Sequence, residues 1–314
     1  MSKSNVLVFG ATGAIGSYII AAIVNARDSF NRIAIFTSPN TLSTKPTEIN
    51  TLRENGVEIL TGDVTNKEDV LKAFEGIDTI VSALGRGVIT AQIDLIELAE
   101  ATPHIKRFLP SEYGTDIEYG PASATEKPHQ AKLKVRAALR ATKNLEYAFI
   151  VTGPYADVPF YLGATKHPRG GTFNVPEKKA VLLGDGKGRI SLVACGDVGK
   201  FVVGALTNWE AARGRALKLN SFTTTPDEIL AEFENQTDSK WAAEYTSLEQ
   251  LKAFESEAWE KGQPDATGLT LRRIWTEGGT LYEGRDNADI GAEDTVTLPE
   301  AVKDAIRAQL SKSI

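Results

Sequence analysis

The stretch VLVFGATGAIGSYII, residues 6–20, constrains the fold more than any other feature. A run of apolar, partly β-branched residues passes straight into Gly10, Gly13 and Gly16, and from there into an amphipathic pattern. A strand buried on both faces of a parallel sheet reads as such a continuous apolar run, and glycines allow the sharp turn from strand to helix. In an open parallel sheet, ligands bind beyond the carboxyl ends of the strands where the winding direction changes, and the first turn is part of that crevice. Gly10 then permits the tight turn, Gly13 lets the backbone approach a pyrophosphate, and Gly16 lets the helix pack closely on the sheet. The exposed amides at the helix start receive the negative charge. Ala11, Thr12, Ala14 and Ile15 complete the turn as candidate cofactor contacts.

Apolar runs recur at 33–36, 57–60, 79–84, 107–109 and 147–151, with helical patterns at 14–26, 50–55, 67–74, 91–101 and 126–142. This alternation of strand and helix predicts an α/β architecture with a doubly wound parallel sheet. After Thr152 the alternation stops. Residues 152–176 are rich in glycine, proline and aromatics and are expected to form a pocket-lining loop. Residues 180–193, AVLLGDGKGRISLV, read as two strands around a glycine turn, followed by a helix over 196–209. TPDE from Thr225, SLEQ from Ser247 and TLPE from Thr297 have the spacing of helix-start capping boxes. The expected division is a dinucleotide-binding domain over 1–153 and a smaller, mixed α/β substrate-binding region over 154–314, with some later segments returning to the sheet.

Composition narrows the partners. With 42% hydrophobic and 24% charged residues, the 314-residue chain can bury a core of its own. A net charge of −6 and no basic block argue against nucleic acid. The single cysteine, Cys195, cannot form an internal disulfide. His104, His129 and His167 show no metal-ligand spacing, so no metal is expected. No apolar run reaches the roughly 20 residues of a membrane span, and the first strand, starting near Asn5, leaves no room for a leader. A cytoplasmic protein without a membrane partner is expected, as a monomer or weak homodimer because no coiled-coil or repeat pattern is present.

The three-and-three glycine spacing differs from the two-and-three of the commoner dinucleotide fingerprint. It resembles the GxxGxxG start of the extended and atypical short-chain dehydrogenases. VSALG, IKRFLPSEYG, KLKVR and GDGKGRISLVACGDVG resemble the isoflavone reductase-like branch of that superfamily, which also includes the NmrA-like proteins. LRRIWTEGGTLY, in the last third, resembles fungal members. The resemblance implies a Rossmann fold of the atypical short-chain dehydrogenase type, with NADP(H) as cofactor.

The second strand ends IAIFTSPN, without the acid that would accept hydrogen bonds from the ribose of NAD. Ser38 stands where NADP-preferring members carry an arginine. Thr37 and Ser38 still offer hydroxyls, and Lys45 matches the second basic position of the family. Asp63, in TGDVT, is expected either near the adenine or as a helix cap. Ala83, Leu84 and Gly85, after the fourth strand, are expected to line the cofactor groove.

The tyrosine that precedes a lysine by four residues in ordinary short-chain dehydrogenases is absent: Pro128 holds that position before Lys132, and Tyr113, Tyr119 and Tyr147 have no lysine four residues on. The family resemblance puts the catalytic lysine of KLKVR at Lys132, with its ammonium toward the nicotinamide ribose, while Lys134 points away around the helix. Partial burial would lower the Lys132 pKa toward neutrality. His129, three residues earlier, shares its face and is a candidate proton relay, with a purely hydrogen-bonded histidine as the alternative. Ser111 and Tyr113 in PSEYG should face the nicotinamide. Arg86 would meet an acidic substrate group or lie exposed. Tyr155, Phe160 and Tyr161 would form an aromatic wall for a flat, ring-bearing substrate. The implied function is an NADPH-dependent reductase of an aromatic or polyketide-like small molecule, acting at a carbonyl, conjugated alkene or benzylic ether carbon. The alternative is an NAD(P)-sensing regulator without turnover. A nucleotide-sugar epimerase would need the missing tyrosine–lysine pair.

Overall fold

The computed structural model describes residues 3–163, 167–282 and 284–311. Strand β1 (Ser4–Phe9) runs through the middle of a parallel sheet, and its alternate residues serve two different cores. Val6 and Val8 pack with Ile19, Ile20 and Ile23 of helix α1 (Gly16–Asn25) on one face. Leu7 and Phe9 pack on the other with Val70, Leu95 and Leu139. Period-two alternation with both faces covered makes every position apolar. Truncating one such side chain, as in Phe9→Ala, costs about 3–5 kcal/mol.

The remaining elements of this half are β2 (Phe30–Thr37), α2 (Pro39–Thr44), α3 (Pro46–Glu54), β3 (Glu58–Thr61), α4 (Lys67–Ala73), β4 (Thr79–Ser82), α5 (Ala91–Glu100), β5 (Arg107–Leu109), α6 (Gln130–Ala141) and β6 (Glu146–Tyr147). The strand order is β3-β2-β1-β4-β5-β6 with parallel pairing throughout, the doubly wound Rossmann arrangement. Winding reverses between β1 and β4, where Val8 lies opposite Ile35 on one side and Val81 on the other. The crevice therefore opens above the carboxyl ends of those two strands.

Two expectations are corrected here. The helical pattern at 126–142 begins with a separate 3₁₀ turn at Lys127–His129, and α6 itself starts at Gln130. Pro128 offers no N–H to an α-helical ladder and is tolerated only where such a donor is not needed. Lys132 thus lies in the first turn of its helix. The single strand expected at 147–151 is divided: β6 pairs with β5, whereas the next residues leave the six-stranded sheet for a different partner. An apolar pattern specifies burial, not which strand accepts the hydrogen bonds.

The second half comprises β7 (Phe149–Val151), β8 (Thr172–Asn174), β9 (Lys179–Leu183), β10 (Ile190–Leu192), α7 (Cys195–Thr207), α8 (Trp209–Ala212), β11 (Ala216–Lys218), β12 (Phe222–Thr224), α9 (Pro226–Thr237), β13 (Ala242–Thr246), α10 (Leu248–Glu260), α11 (Ala266–Thr276) and α12 (Leu298–Leu310). β7 pairs in parallel with β11, and Val198, Phe201 and Val202 of α7 join the core that contains α1. The two strands around the glycine turn at 180–193 form no hairpin. β9 pairs with β8 and β13, and β10 pairs with β12. Glycines at 184, 186 and 188 carry the chain between those two small sheets instead of folding it back.

Thr225 and Ser247 form reciprocal capping boxes with Glu228 and Gln250. At Thr297 the backbone N–H and the hydroxyl both donate to Glu300, at 2.8 and 2.7 Å. Each such cap contributes about 1 kcal/mol. Positions 164–166 of the expected loop lie outside the described residues, and among its described residues from 154 to 176 β8 is the only helix or strand. Among the described residues no helix is long and apolar enough to cross a membrane, and no cluster of acidic, histidine and cysteine side chains is arranged to hold a metal. Cys195 is buried, and burial pushes its thiol pKa up.

Candidate active site

A cavity of about 990 Å³ opens at the switch point between β1 and β4. Its near edge is the glycine turn. Gly10 adopts φ +75°, and a Cβ there would stand 2.5 Å from the Ala83 carbonyl oxygen; a Cβ on Gly16 would stand 2.0 Å from that of Gly10. Only glycine fits either place, so the turn stays close to β4 and α1 starts directly behind it. No side chain caps the start of α1. Uncapped amides at a helix N-terminus, next to a backbone stripped of side chains, form an anion cradle.

Of the residues singled out from the sequence, Gly13, Ala14, Ile15, Ala83, Leu84, Gly85, Arg86, Tyr113, His129, Lys132, Tyr155, Phe160 and Tyr161 all line this cavity. They come from the glycine turn, the ends of β4 and β5, the entry to α6 and the loop after residue 153. Gly10, Ala11, Thr12 and Gly16 lie in the turn beneath. Thr37 ends β2 and is buried, while Ser38 caps α2 by accepting the Thr41 N–H at 3.1 Å. Lys45 extends to the turn and donates to the Thr12 carbonyl at 2.5 Å. Asp63 lies away from the cavity wall, exposed. Its carboxylate accepts the Thr65 N–H and hydroxyl, each at 2.8 Å, and these bonds hold it below the usual carboxylate range. The cap of α4 is Asn66, not Asp63.

Lys132 is half-buried, and its ammonium donates to the Glu112 carbonyl oxygen. Desolvation brings its pKa down to about 8, Arg86 and Arg136 adding to the shift and the Glu112 carboxylate opposing it. Lys134 is exposed, as expected from its place on the helix. His129 is buried, and its Nδ1 lies 3.0 Å from the Ser123 carbonyl oxygen. A carbonyl can only accept, so that nitrogen carries the proton and Nε2 is left as an acceptor. Among the described residues neither Nε2 nor the buried Tyr113 hydroxyl has a hydrogen-bond partner. Burial lowers the His129 pKa and raises those of Tyr113 and Tyr155, so all three side chains stay neutral near pH 7. Both His129 and Tyr113 line the cavity, and Nε2 and the Tyr113 hydroxyl are buried within its wall.

Ser111 donates its hydroxyl to the Leu84 carbonyl at 2.9 Å and so ties the end of β5 to that of β4. Tyr155 donates its hydroxyl to the Tyr113 carbonyl and stacks edge-on against Phe160. The aromatic wall is therefore braced from the β5 end.

Two sets of residues escaped the sequence reading. Glu112 sits between Ser111 and Tyr113, and its buried carboxylate receives Arg136 at 3.0 Å through two nitrogens. Arg136 also reaches Asp116 at 3.4 Å and Glu118 at 2.6 Å. The arginine of KLKVR thus fixes the β5 loop that carries the Lys132 acceptor. The far wall of the cavity comes from α11, with Leu269, Arg272 and Trp275. The adjacent arginines of LRRIWTEGGTLY were its visible trace, without any period to show which one faced inward.

The chain is similar in sequence and fold to several known proteins. The oxidoreductase aprR of Aspergillus flavus is 28% identical over 314 residues, covering 98% of both chains. The isoflavone reductase of Pisum sativum is 26% identical over 266 residues, 80% of this chain and 81% of its own. The leucoanthocyanidin reductase–NADPH complex from Vitis vinifera shares the fold with a TM-score of 0.79 at 22% identity, covering 96% of this chain and 99% of its own. Residues 2–263 match the profile of the NmrA-like family, and the chain belongs to that family.

Proposed function

We propose that this protein is an NADPH-dependent reductase of an aromatic or polyketide-like small molecule, with Lys132 managing the proton. The observation that carries the reading is a desolvated lysine, with its pKa near 8, on the wall of a cavity that begins at an anion-binding glycine turn. Named relatives point the same way: an oxidoreductase, an isoflavone reductase and a structural neighbour solved as a binary complex with NADPH.

The residues present fit a dinucleotide. Gly13, Ala14, Ile15 and the amides of α1 would hold its pyrophosphate, Leu84 and Gly85 its flank, and Lys45 and Ser38 the 2′-phosphate side. When bound, NADPH supplies the hydride. Lys132 then delivers a proton from Nζ to the atom that gains negative charge, directly or through a water. His129 and Tyr113 stand in the wall beside Lys132 as neutral side chains and leave its ammonium as the proton source. Tyr155, Phe160 and Tyr161 exclude water and favour a flat ring.

The test is a fluorescence titration with NADPH and NADH, followed by NADPH oxidation assays against aromatic ketones, enones and benzylic ethers. Turnover that disappears in Lys132→Ala while NADPH binding persists supports the reading. Tight NADPH binding without oxidation by any compound transfers it to a dinucleotide sensor, and no binding of either dinucleotide overturns both.

A further inference from the structure

Arg272 and Arg273 are neighbours on α11 with opposite environments. Arg273 is saturated by three carboxylates: Glu126 at 2.7 Å, Glu255 at 2.5 Å and Glu277 at 2.8 Å. Arg272 is 8% exposed and lines the cavity, yet no carboxylate among the described residues pairs with it. Its partners are the Phe160 carbonyl, which accepts from Nη2 at 3.4 Å, and the ring of Tyr161, 5.3 Å below the guanidinium. Desolvation with no compensating anion brings its pKa down to about 10, far below that of a normal arginine.

The place is shaped for the side chain. A Cβ on Gly171 would fall 2.6 Å from Arg272 Nη1, so the guanidinium occupies room that any larger residue would take. Five donors in a rigid fork meet a single long hydrogen bond and the face of a ring. A buried cation left in this state is costly unless a further partner arrives.

The rest of the cavity does not supply that partner. The Glu112 carboxylate is held by Arg136, and Asp265 lies at the start of α11, seven residues or roughly 10 Å along the helix from Arg272. Lys132 and Arg86 add positive charge, the latter donating among the described residues only to the Pro128 carbonyl at 3.0 Å. In a protein of net charge −6, this cavity is locally cationic.

We propose that Arg272 is an anion-recognition residue and that the molecule reduced in this cavity carries a carboxylate on its aromatic or polyketide-like frame. The inference rests on the cavity being the substrate site of the reductase. The Tyr161 ring orients the guanidinium edge, and the two carboxylate oxygens take two parallel N–H donors, a geometry that arginine supports and lysine does not. The carboxylate anchors one end of the substrate at α11 and leaves the reducible carbon toward Lys132.

The experiment compares 2-naphthoate with 2-naphthamide, titrated calorimetrically into the NADP⁺-saturated protein. Naphthoate is expected to bind about 10-fold more tightly than the neutral amide. In Arg272→Gln the two should bind alike, with amide affinity, NADPH affinity and thermal midpoint retained. Equal binding in the unmodified protein overturns the proposal. So does a preference that survives Arg272→Gln and vanishes in Arg86→Gln, or a loss of NADPH affinity in Arg272→Gln, which would give this arginine to the cofactor. Should Arg272→Gln fail to fold, Arg272→Lys serves: it keeps the charge without the fork, and undiminished naphthoate affinity there overturns the proposal. Absence of dinucleotide binding would instead sink the reductase reading, and the same titration without NADP⁺ would still decide the role of Arg272.

Discussion

Two regions frame the cavity, and they treat positive charge differently. On the β5–α6 side, Arg136 is enclosed by Glu112, Asp116 and Glu118, and Glu118 is tied again by Arg140 at 2.6 and 2.7 Å. Chiefly through that Arg140 contact, the Glu118 carboxyl is held at about 2. On the α11 side, Arg273 is equally well matched, while Arg272 beside it has, among the described residues, only a carbonyl and a ring. A matched buried ion pair costs desolvation and returns rigidity, whereas an unmatched buried cation costs desolvation and returns nothing until a ligand binds. The β5–α6 side is accordingly a fixed floor that holds Lys132 in position, and the α11 side is a wall with one binding function left open.

Perturbing the floor and the wall separately should expose this difference. The largest effect is expected at the lysine that the floor positions: Lys132→Met should lower kcat by about 10²–10⁴-fold, with NADPH affinity unchanged by fluorescence titration. Comparable loss of cofactor binding would remove the lysine from proton transfer. Next is the floor itself. Arg136→Met leaves buried carboxylates unpaired and should reduce stability by about 3–5 kcal/mol in urea unfolding. A change below 1 kcal/mol would show that the three acids are not held by this arginine.

The pH profile is a finer probe. Lys132 gives up its proton as pH rises through about 8, so substrate reduction, which needs that proton, should fall about tenfold per pH unit above 8. The reverse oxidation, which needs the neutral amine, should rise as pH climbs toward 8 and level off above it. In stability the sign also follows: the unfolded chain holds this proton up to the ordinary lysine range and the folded chain releases it near 8, so folding gains stability with pH between about 8 and 10.5. A reduction rate that stays level to pH 9.5 would contradict the assignment. A smaller effect concerns the turn: Lys45→Ala should lower the preference for NADPH over NADH by about tenfold, or about 1.4 kcal/mol, in competitive titration. The smallest expected change is the most diagnostic of the wall. Arg272→Met should shift stability by less than about 1 kcal/mol, or raise it, because it removes a cation with no ion-pair partner. A loss as large as that of Arg136→Met would show the two arginines to be structurally equivalent.

What could be read directly from the residues was whatever is encoded locally. The strand, glycine turn and helix at 4–25 are consecutive in the chain, and their apolar and glycine positions leave few other structures open. The capping sequences at Thr225 and Ser247 involve residues three apart and reappear as bonded boxes. Lys132 was found through a five-residue pattern on one helix. Its environment was not legible, because the Glu112 carbonyl it meets is 20 residues away and the cavity it lines is completed by residues much later in the chain.

The sequence by itself determined the doubly wound sheet, the place of the crevice and the glycine turn that opens it, since neighbouring residues specify each of these through backbone freedom and short-period burial. Tertiary structure alone decided which strands the segments after 147 would join, which of two adjacent arginines would be matched, and that α11 would close the cavity. Arg273 meets Glu126 across 147 residues of chain. Contacts of that separation carry no period, and they form only when the entropy of closing so long a loop is overcome.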